Sequence, residues 1–220
     1  MKDLGLAFSF PFRDPSWISK FVIAALFMLL CIVGLGVFVL VGYMIQVTQR
    51  VMRRDELLLP EWKDVGVKFI LGFKFAVVYG IYLLPVLLLL IPFFFLIIAS
   101  LIAAPSDTAG LFVGVYAVGF AVIVVPYSLA VSLLMPIISY RFAATESIAD
   151  ALNIAAVLAE FRRHWQPTLI VALIAIGVES LAGIGLVAFI IGIFFTSFYA
   201  YLVSAYLHGA LYLEAHRAEG

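Results

Sequence analysis

Residues 75–140 decide the fold class of this chain, and they read FAVVYGIYLLPVLLLLIPFFFLIIASLIAAPSDTAGLFVGVYAVGFAVIVVPYSLAVSLLMPIISY. Two long apolar runs, 75–104 and 110–140, flank a short turn at 105–109 that carries no lysine or arginine. Each run exceeds the roughly 20 apolar residues that a helix needs to cross a bilayer. The stretch therefore predicts a transmembrane helical hairpin.

The composition extends this prediction to the whole chain. Of the 220 residues, 66% are hydrophobic and only 12% are charged, whereas a soluble domain is about half apolar and a quarter charged. A water-soluble core could not absorb this excess, so lipid must solvate much of the surface. We expect one integral membrane domain over 1–220, an all-α polytopic transmembrane helical bundle with interfacial amphipathic segments.

Composition and motifs also limit the function. The net charge of zero gives no electrostatic reason to expect nucleic-acid binding. The single cysteine, Cys31, excludes an intrachain disulfide and any CxxC motif. The sequence has no nucleophile–base motif, phosphate-binding loop or dinucleotide fingerprint. It therefore predicts a protein that is not an enzyme and that has no cofactor or metal site.

The N-terminal part leaves two alternatives open. Residues 1–20 mix aromatic and basic side chains with two prolines, which is typical of a segment at the membrane interface. The apolar run 21–47 either spans the membrane once or re-enters and returns, and Gly34-Leu35-Gly36 at its midpoint could make the bend. Re-entry would put the N-terminus inside and place all three tryptophans in one aromatic belt, so we favour it. The tryptophans are Trp17, Trp62 and Trp165.

The C-terminal part combines an amphipathic helix with a second hairpin. Either Thr145 or the box Ser147-x-x-Asp150 can cap the start of a predicted helix over 147–165 on the cytoplasmic face. Its apolar face is the candidate interface with lipid or partner proteins and carries Ile154, Leu158, Phe161 and Trp165. Asn153 and Glu160 lie on the opposite face and are predicted to tolerate substitution. The glycines at 183 and 185 then divide the last apolar stretch into spans 168–181 and 186–213.

Lysine and arginine placement predicts the orientation. Segment 48–74 contains six of these residues and segment 141–166 contains three, whereas the turn at 105–109 contains none. Because cytoplasmic loops are enriched in Lys and Arg, both hairpins should open toward the cytoplasm and the C-terminus should be cytoplasmic. We expect a multi-pass protein of the bacterial or archaeal cytoplasmic membrane.

Several short motifs resemble a known family. They are Phe10-Pro11-Phe12 with Asp14-Pro15 and Trp17, Gly42-Tyr43 before a basic segment, Leu59-Pro60-Glu61-Trp62 with Asp64, and Leu207-His208-Gly209 with Tyr212. In this order they resemble the bacterial and archaeal membrane family called domain-of-unknown-function 4013. The resemblance covers most of the chain, and the Leu-Pro-Glu-Trp motif is its most specific part. It implies a polytopic membrane protein and supplies neither a reaction nor a site.

Three residues are candidates for a function inside the membrane. Glu179 is the only acidic residue well inside an apolar span, where an ionisable group is costly. Pro85 and Pro126 lie at similar distances from the turn at 105–109, and broken helices at matched depth are typical of transporter sites. A structural hydrogen bond for Glu179 and packing kinks at the prolines are the alternative interpretations.

Two functions follow from these observations. The long lipophilic spans and interfacial segments favour a non-enzymatic scaffold or accessory subunit that contacts membrane lipids and other membrane proteins. The alternative is a small transporter or channel that uses the kinked helices around Pro85, Pro126 and Glu179. A path for a polar solute needs polar groups near mid-membrane, and the predicted spans contain few of them.

Overall fold

The computed structural model describes residues 4–102, 107–182 and 189–217, and within these ranges every regular element is helical. The helices are α1 (Leu4–Ser9), α2 (Trp17–Leu29), α3 (Leu35–Arg53), α4 (Val65–Ile102), α5 (Asp107–Thr145), α6 (Ile148–Ala151), α7 (Ile154–Arg163), α8 (Trp165–Ala182) and α9 (Phe189–Ala215), with 3-10 turns at Phe10–Arg13 and Leu30–Val33. The prediction of an all-α fold is confirmed.

Three of the described helices, α3, α4 and α5, are long and apolar enough to cross a membrane. The pair Leu4–Arg13 and Trp17–Val33 would make a fourth crossing, bent by 93°, and α8 is apolar but shorter. The predicted spans 168–181 and 186–213 correspond to α8 and α9. The glycine break between them lies outside the described residues, as do residues 105 and 106 of the first hairpin turn.

The chain forms two compact units. The first contains Met1–Val78 and Leu133–Gly220, and the second contains Tyr79–Ser132. Each unit takes part of α4 and part of α5, because the boundaries between the units fall inside these two helices. Helix α4 begins at Val65 rather than at Phe75 and contains Pro85 and Pro92 in its interior.

The first apolar run is not one continuous helix. Gly34 separates α2 and its 3-10 turn from α3 with a φ of 81°, a left-handed conformation that glycine adopts without steric cost. Lys20, early in α2, and Arg50, late in α3, both donate hydrogen bonds to the carbonyl oxygen of Leu59. The two helices therefore run back along each other as a hairpin, which the re-entrant alternative requires. Helix α3, which continues to Arg53, is by itself long and apolar enough to cross a membrane.

Close backbone packing fixes α3 within the first unit. A Cβ atom built on Gly42 would collide with the backbone of Lys68 in α4, and one built on Gly72 would collide with the carbonyl oxygen of Phe38 in α3. Small residues of this kind let two helices approach closely in a membrane. On another side of α3, Thr48 Oγ1 donates to the carbonyl oxygen of Ala205 in α9 at 3.0 Å.

The amphipathic segment is broken, so the predicted continuous helix over 147–165 is wrong. Its predicted start is correct, since the Ser147 hydroxyl accepts a hydrogen bond from the backbone N–H of Asp150. The helix then stops after Ala151 and restarts because the Asn153 side chain accepts from the N–H of Ala156. Asparagine is among the best residues for capping a helix start, and this local bond competes with continued helix.

Candidate functional site

A buried lysine organises the polar centre of the first unit. Lys20 Nζ lies 2.7 Å from Asp14 Oδ2, 2.8 Å from Glu61 Oε1 and 3.1 Å from the carbonyl oxygen of Leu59. Lys20 is 2% exposed and Asp14 is 4% exposed, whereas the Glu61 side chain reaches the surface. We call Asp14, Lys20, Leu59 and Glu61 the Lys20 cluster. It joins the N-terminal segment, α2 and the loop that follows α3.

Backbone geometry and neighbouring hydrogen bonds set the position of each member. Asp14 Oδ1 accepts from both the backbone N–H and the hydroxyl of Ser16, at 2.8 and 2.7 Å, so the carboxylate caps the turn that starts α2. The Trp62 indole N–H donates to the carbonyl oxygen of Lys20 at 3.0 Å. The Tyr43 hydroxyl donates to the carbonyl oxygen of Pro60 at 3.0 Å. Side chains from α2 and α3 therefore hold the loop at 59–62, and the loop's own Trp62 side chain bonds back to α2.

Aromatic rings surround this polar centre. Trp62 stacks on Tyr43 with ring centroids 4.4 Å apart and on Phe27 at 5.1 Å. Phe198 of α9 packs edge-on against Phe21 at 5.0 Å and contacts Tyr43 at 5.6 Å. Such ring pairs contribute about 0.5–1.5 kcal/mol each beyond the area they bury. The rings also exclude water, which strengthens the electrostatic attraction inside the Lys20 cluster.

Both carboxyls of the cluster are held in the charged form. Burial alone would raise the pKa of Asp14, but the hydrogen bonds from Lys20 and Ser16 outweigh burial and lower the pKa below its usual value. The hydrogen bond from Lys20 likewise lowers the pKa of Glu61. The cluster therefore stabilises the fold above the unfolded-state pKa of these carboxyls. That stabilisation is lost as the pH falls through the lower folded-state values.

The sequence prediction did not include the Lys20 cluster. Lys20 reads as one basic residue in an interfacial segment, and nothing local shows that it is buried. The signal was nevertheless present in the motifs that carry the family resemblance. In the structure, Lys20 joins Asp14 to Glu61, and Tyr43 donates to Pro60, so the Asp14-Pro15 motif and Tyr43 are both linked to the Leu59–Trp62 motif.

The candidate interface residues lie where α7 crosses the surface of the first unit. Ile154 is 57% exposed, Trp165 is 51% exposed and Leu158 is 37% exposed, and Phe161 is half-buried. Val157, which the sequence pattern did not single out, is the α7 residue that is fully buried. We call Ile154 and Leu158 of α7, together with Trp165 at the start of α8, the α7 patch.

Two polar residues of this segment, Asn153 and Glu160, make hydrogen bonds that the prediction of tolerance to substitution did not include. Glu160 accepts a hydrogen bond from Arg141 Nη1 at 3.1 Å, and both side chains are partly buried. Arg141 Nε also donates to the carbonyl oxygen of Asp150. Arg141 thus ties α6 and α7 to the end of α5, while Asn153 caps α7.

Glu179 has a hydrogen-bonding partner on the neighbouring helix. The hydroxyl of Ser204 in α9 donates to Glu179 Oε1 at 2.9 Å. Ser204 is buried, and Glu179 itself remains largely exposed on the surface of α8. The contact therefore joins α8 to α9, which agrees with the structural interpretation of Glu179.

The two candidate prolines lie in the second unit, whereas Glu179 lies in the first. Pro85 and Pro126 are both exposed on the outer surface of their helices. The Tyr127 hydroxyl of α5 donates to the carbonyl oxygen of Tyr82 at 2.6 Å, three residues before Pro85. The Tyr116 hydroxyl donates in the same way to Leu89 at 2.8 Å, three residues before Pro92. Proline has no N–H for the carbonyl oxygen four residues before it, so the helical hydrogen bonding is weakened there. The two tyrosines donate to carbonyl oxygens in this weakened turn.

We expect Tyr127→Phe to lower the stability of the hairpin modestly, because it removes one donor from a carbonyl oxygen beside a proline. The cost should be about 0.6–1.7 kcal/mol, the range for side-chain hydrogen bonds in membrane helices. Unfolding of the purified protein by a denaturing detergent would measure it. Tyr79→Phe, in the same unit but at an exposed ring, is the control. Equal stability of both variants would contradict this role for Tyr127.

Among the described residues, no group of three or more His, Cys, Asp or Glu side chains is placed to hold a metal ion.

The comparisons with known proteins give one match. A family model described as "Protein of unknown function (DUF4013)" matches residues 25–197. No curated protein and no solved structure shows significant similarity to the chain. The matched range contains Tyr43, the Leu59–Trp62 motif and the α7 patch.

Proposed function

Since the chain belongs to the DUF4013 family, whose description gives no activity, we propose that it is a non-enzymatic integral membrane protein. In this proposal it acts as a scaffold or accessory subunit that contacts membrane lipids and other membrane proteins. The observation that carries the proposal is the α7 patch. It exposes Ile154 and Leu158 on α7 and Trp165 at the first residue of α8. Helix α7 is anchored within the first unit by Val157 and by the Arg141–Glu160 ion pair.

The surroundings of the patch favour contact at the membrane surface. Arg162 and Arg163 are exposed at the end of α7 beside the patch. Each would gain about 1 kcal/mol near an anionic leaflet. The exposed apolar side chains would be buried against lipid or against the apolar surface of a partner, which is the usual use of such a helix.

Site-specific crosslinking in intact membranes tests the scaffold role. A photo-reactive residue at Leu158 should give a discrete adduct with another membrane protein. The same residue at Ala159, which is exposed but points about 100° away around α7, should not. Adducts with lipid alone at Leu158, or equal protein adducts at both positions, would contradict the scaffold role.

The transporter alternative has less support. Pro85 and Pro126 face outward instead of toward one another, and tyrosine hydroxyls satisfy carbonyl oxygens near both prolines of α4. Glu179 is paired with Ser204. These observations support transport less well than the scaffold role.

We expect Glu179→Gln to leave the protein inserted, folded and equally abundant. Glutamine keeps a carbonyl oxygen that can accept from the Ser204 hydroxyl, and it removes a charge that is costly in an apolar helix. Abundance in the membrane and a thermal unfolding curve would check this. If the variant is as abundant as the parent protein but loses a proton- or cation-dependent activity, the structural role is wrong and transport becomes the better proposal.

The proposal also places the protein in a bacterial or archaeal cytoplasmic membrane with a cytoplasmic C-terminus. Its support is the Lys and Arg enrichment of segments 48–74 and 141–166. Single cysteines at Asp107 and at Glu219, on a Cys31→Ser background, provide the measurement. A membrane-impermeant thiol reagent added to intact cells should label the first position and not the second, and the reverse pattern would contradict the orientation.

A further inference from the structure

A cavity of about 440 Å³ lies between the C-terminal ends of α3 and α9, with α1 beside it. Its volume falls within the range of small-ligand sites, about 300–1,000 Å³. About half of its wall is apolar, and the side chains that form this part include Leu4, Leu6, Val51, Leu58, Leu207 and Leu213. A ligand for this cavity must therefore carry a substantial apolar part.

The same cavity is lined by two cations and two anions. Arg54 and Asp55 come from the end of α3 and the residue after it, and Glu214 and Arg217 come from the end of α9. Arg54 is the C-terminal cap of α3, and its backbone N–H donates to the carbonyl oxygens of Arg50 and Val51. Arg217 lies 3.5 Å from Glu214 at the surface. A surface pair of this kind contributes at most about 1 kcal/mol, so a ligand can compete for Arg217.

We infer that this cavity binds a phospholipid whose headgroup carries both a phosphate and a primary ammonium. The phosphate would bind between Arg54 and Arg217, since guanidinium groups match phosphate oxygens with paired hydrogen bonds. The ammonium would donate to Asp55. A purely anionic headgroup would face two carboxylates without a compensating cation, and a purely cationic headgroup would face two arginines.

The position of the cavity favours a lipid over a water-soluble ligand. Arg54 and Arg217 directly follow the apolar parts of α3 and α9, the depth at which charged side chains meet lipid headgroups. The leucines of the wall lie beside these charges and would contact the first carbons of the acyl chains. The inference deepens the lipid-contact part of the proposed function. The experiments below test residues at the ends of α3 and α9 and do not involve the α7 patch. The lipid site and the scaffold role can therefore each fail without the other.

Thermal unfolding of the purified full chain in a neutral detergent tests the inference. A ligand that binds the folded state raises the Tm in proportion to the logarithm of its concentration over its Kd. Phosphatidylethanolamine should raise the Tm at concentrations about tenfold lower than phosphatidylcholine, whose quaternary ammonium cannot donate a hydrogen bond, and phosphatidylglycerol, which lacks a cation. Free phosphoethanolamine should give no shift at the same concentrations, because it has no apolar part.

Matched variants locate the site. Arg54→Gln and Arg217→Gln should each weaken the phosphatidylethanolamine response about tenfold and leave the lipid-free Tm unchanged. Arg53→Gln removes an exposed charge from the adjacent position, outside the cavity, and should keep the full response. An equal response to the three lipids, a full response from free phosphoethanolamine, or an equal loss in Arg53→Gln and Arg54→Gln would overturn the inference.

Discussion

Lys20→Met should destabilise the protein by about 3–5 kcal/mol, the cost of removing one partner from a buried ion pair. Asp14 would stay buried with its hydrogen bonds from Ser16 but without a counter-charge, and the carbonyl oxygen of Leu59 would lose one of its two donors. Most proteins are only about 5–15 kcal/mol stable in total, so a loss of this size should be visible in abundance as well as in unfolding.

In a variant with Trp17 and Trp165 changed to Phe, the fluorescence of Trp62, which donates to the carbonyl oxygen of Lys20, reports on the cluster during unfolding in detergent. Lys63→Met is the matched control, because Lys63 is exposed and only its backbone oxygen is used, by Lys68. The double variant Asp14→Asn with Lys20→Met should recover part of the loss, since neither partner is then a buried unpaired charge. If Lys20→Met is as stable as Lys63→Met, the Lys20 cluster does not hold these segments together.

Gly72→Ala should be nearly as severe, although it adds a single methyl group. The new Cβ would overlap the backbone carbonyl oxygen of Phe38, and backbone in the middle of a packed helix cannot rotate away as a side chain can. Separating α3 from α4 to relieve the overlap would break contacts along both helices. We expect a loss of about 3 kcal/mol, the upper end of the cost of overpacking.

Gly80→Ala in the same helix supplies the control for Gly72→Ala. A Cβ at Gly80 meets no atom within 4 Å, so the substitution should be neutral or stabilising by up to about 1 kcal/mol through helix propensity. Comparing the two variants separates close packing from the general effect of glycine in a helix. Equal stability of Gly72→Ala and Gly80→Ala would show that α3 and α4 do not approach closely at this point.

Hydropathy predicted the long helices α4 and α5 well, because transfer into lipid depends on the composition of each segment alone. The capping geometry at Ser147 was predictable for a similar reason, since donor and acceptor are three residues apart. The Asn153 cap is equally local, but the helical periodicity of the apolar residues continues across it and favours an unbroken helix. Local signals can thus conflict, and the stronger pattern in the sequence is not always the one that the backbone follows.

The Lys20 cluster shows what could not be predicted in this way. The burial of Lys20 depends on Asp14, on the loop carrying Leu59 and Glu61, and on rings from α3 and α9. None of these contacts has a spacing that secondary structure would reveal. The sequence offered only the motifs shared with a family, and it could not show that they meet at one lysine. The exposed face of α7 was predictable as a helical stripe, but Val157 as its anchor depends on tertiary packing.

The tyrosine–proline pairs of the second unit also set the register of its two helices. Tyr116 and Tyr127 reach α4 at two separate levels, and each needs a carbonyl oxygen near a proline. Sliding α5 along α4 by one helical turn would move both hydroxyls away from these carbonyl oxygens, so both bonds would be lost together. Two hydrogen bonds at different depths therefore oppose a sliding of α5 along α4. The outer surface of the hairpin is almost entirely apolar, so contacts with lipid would not favour one alignment of the two helices over another.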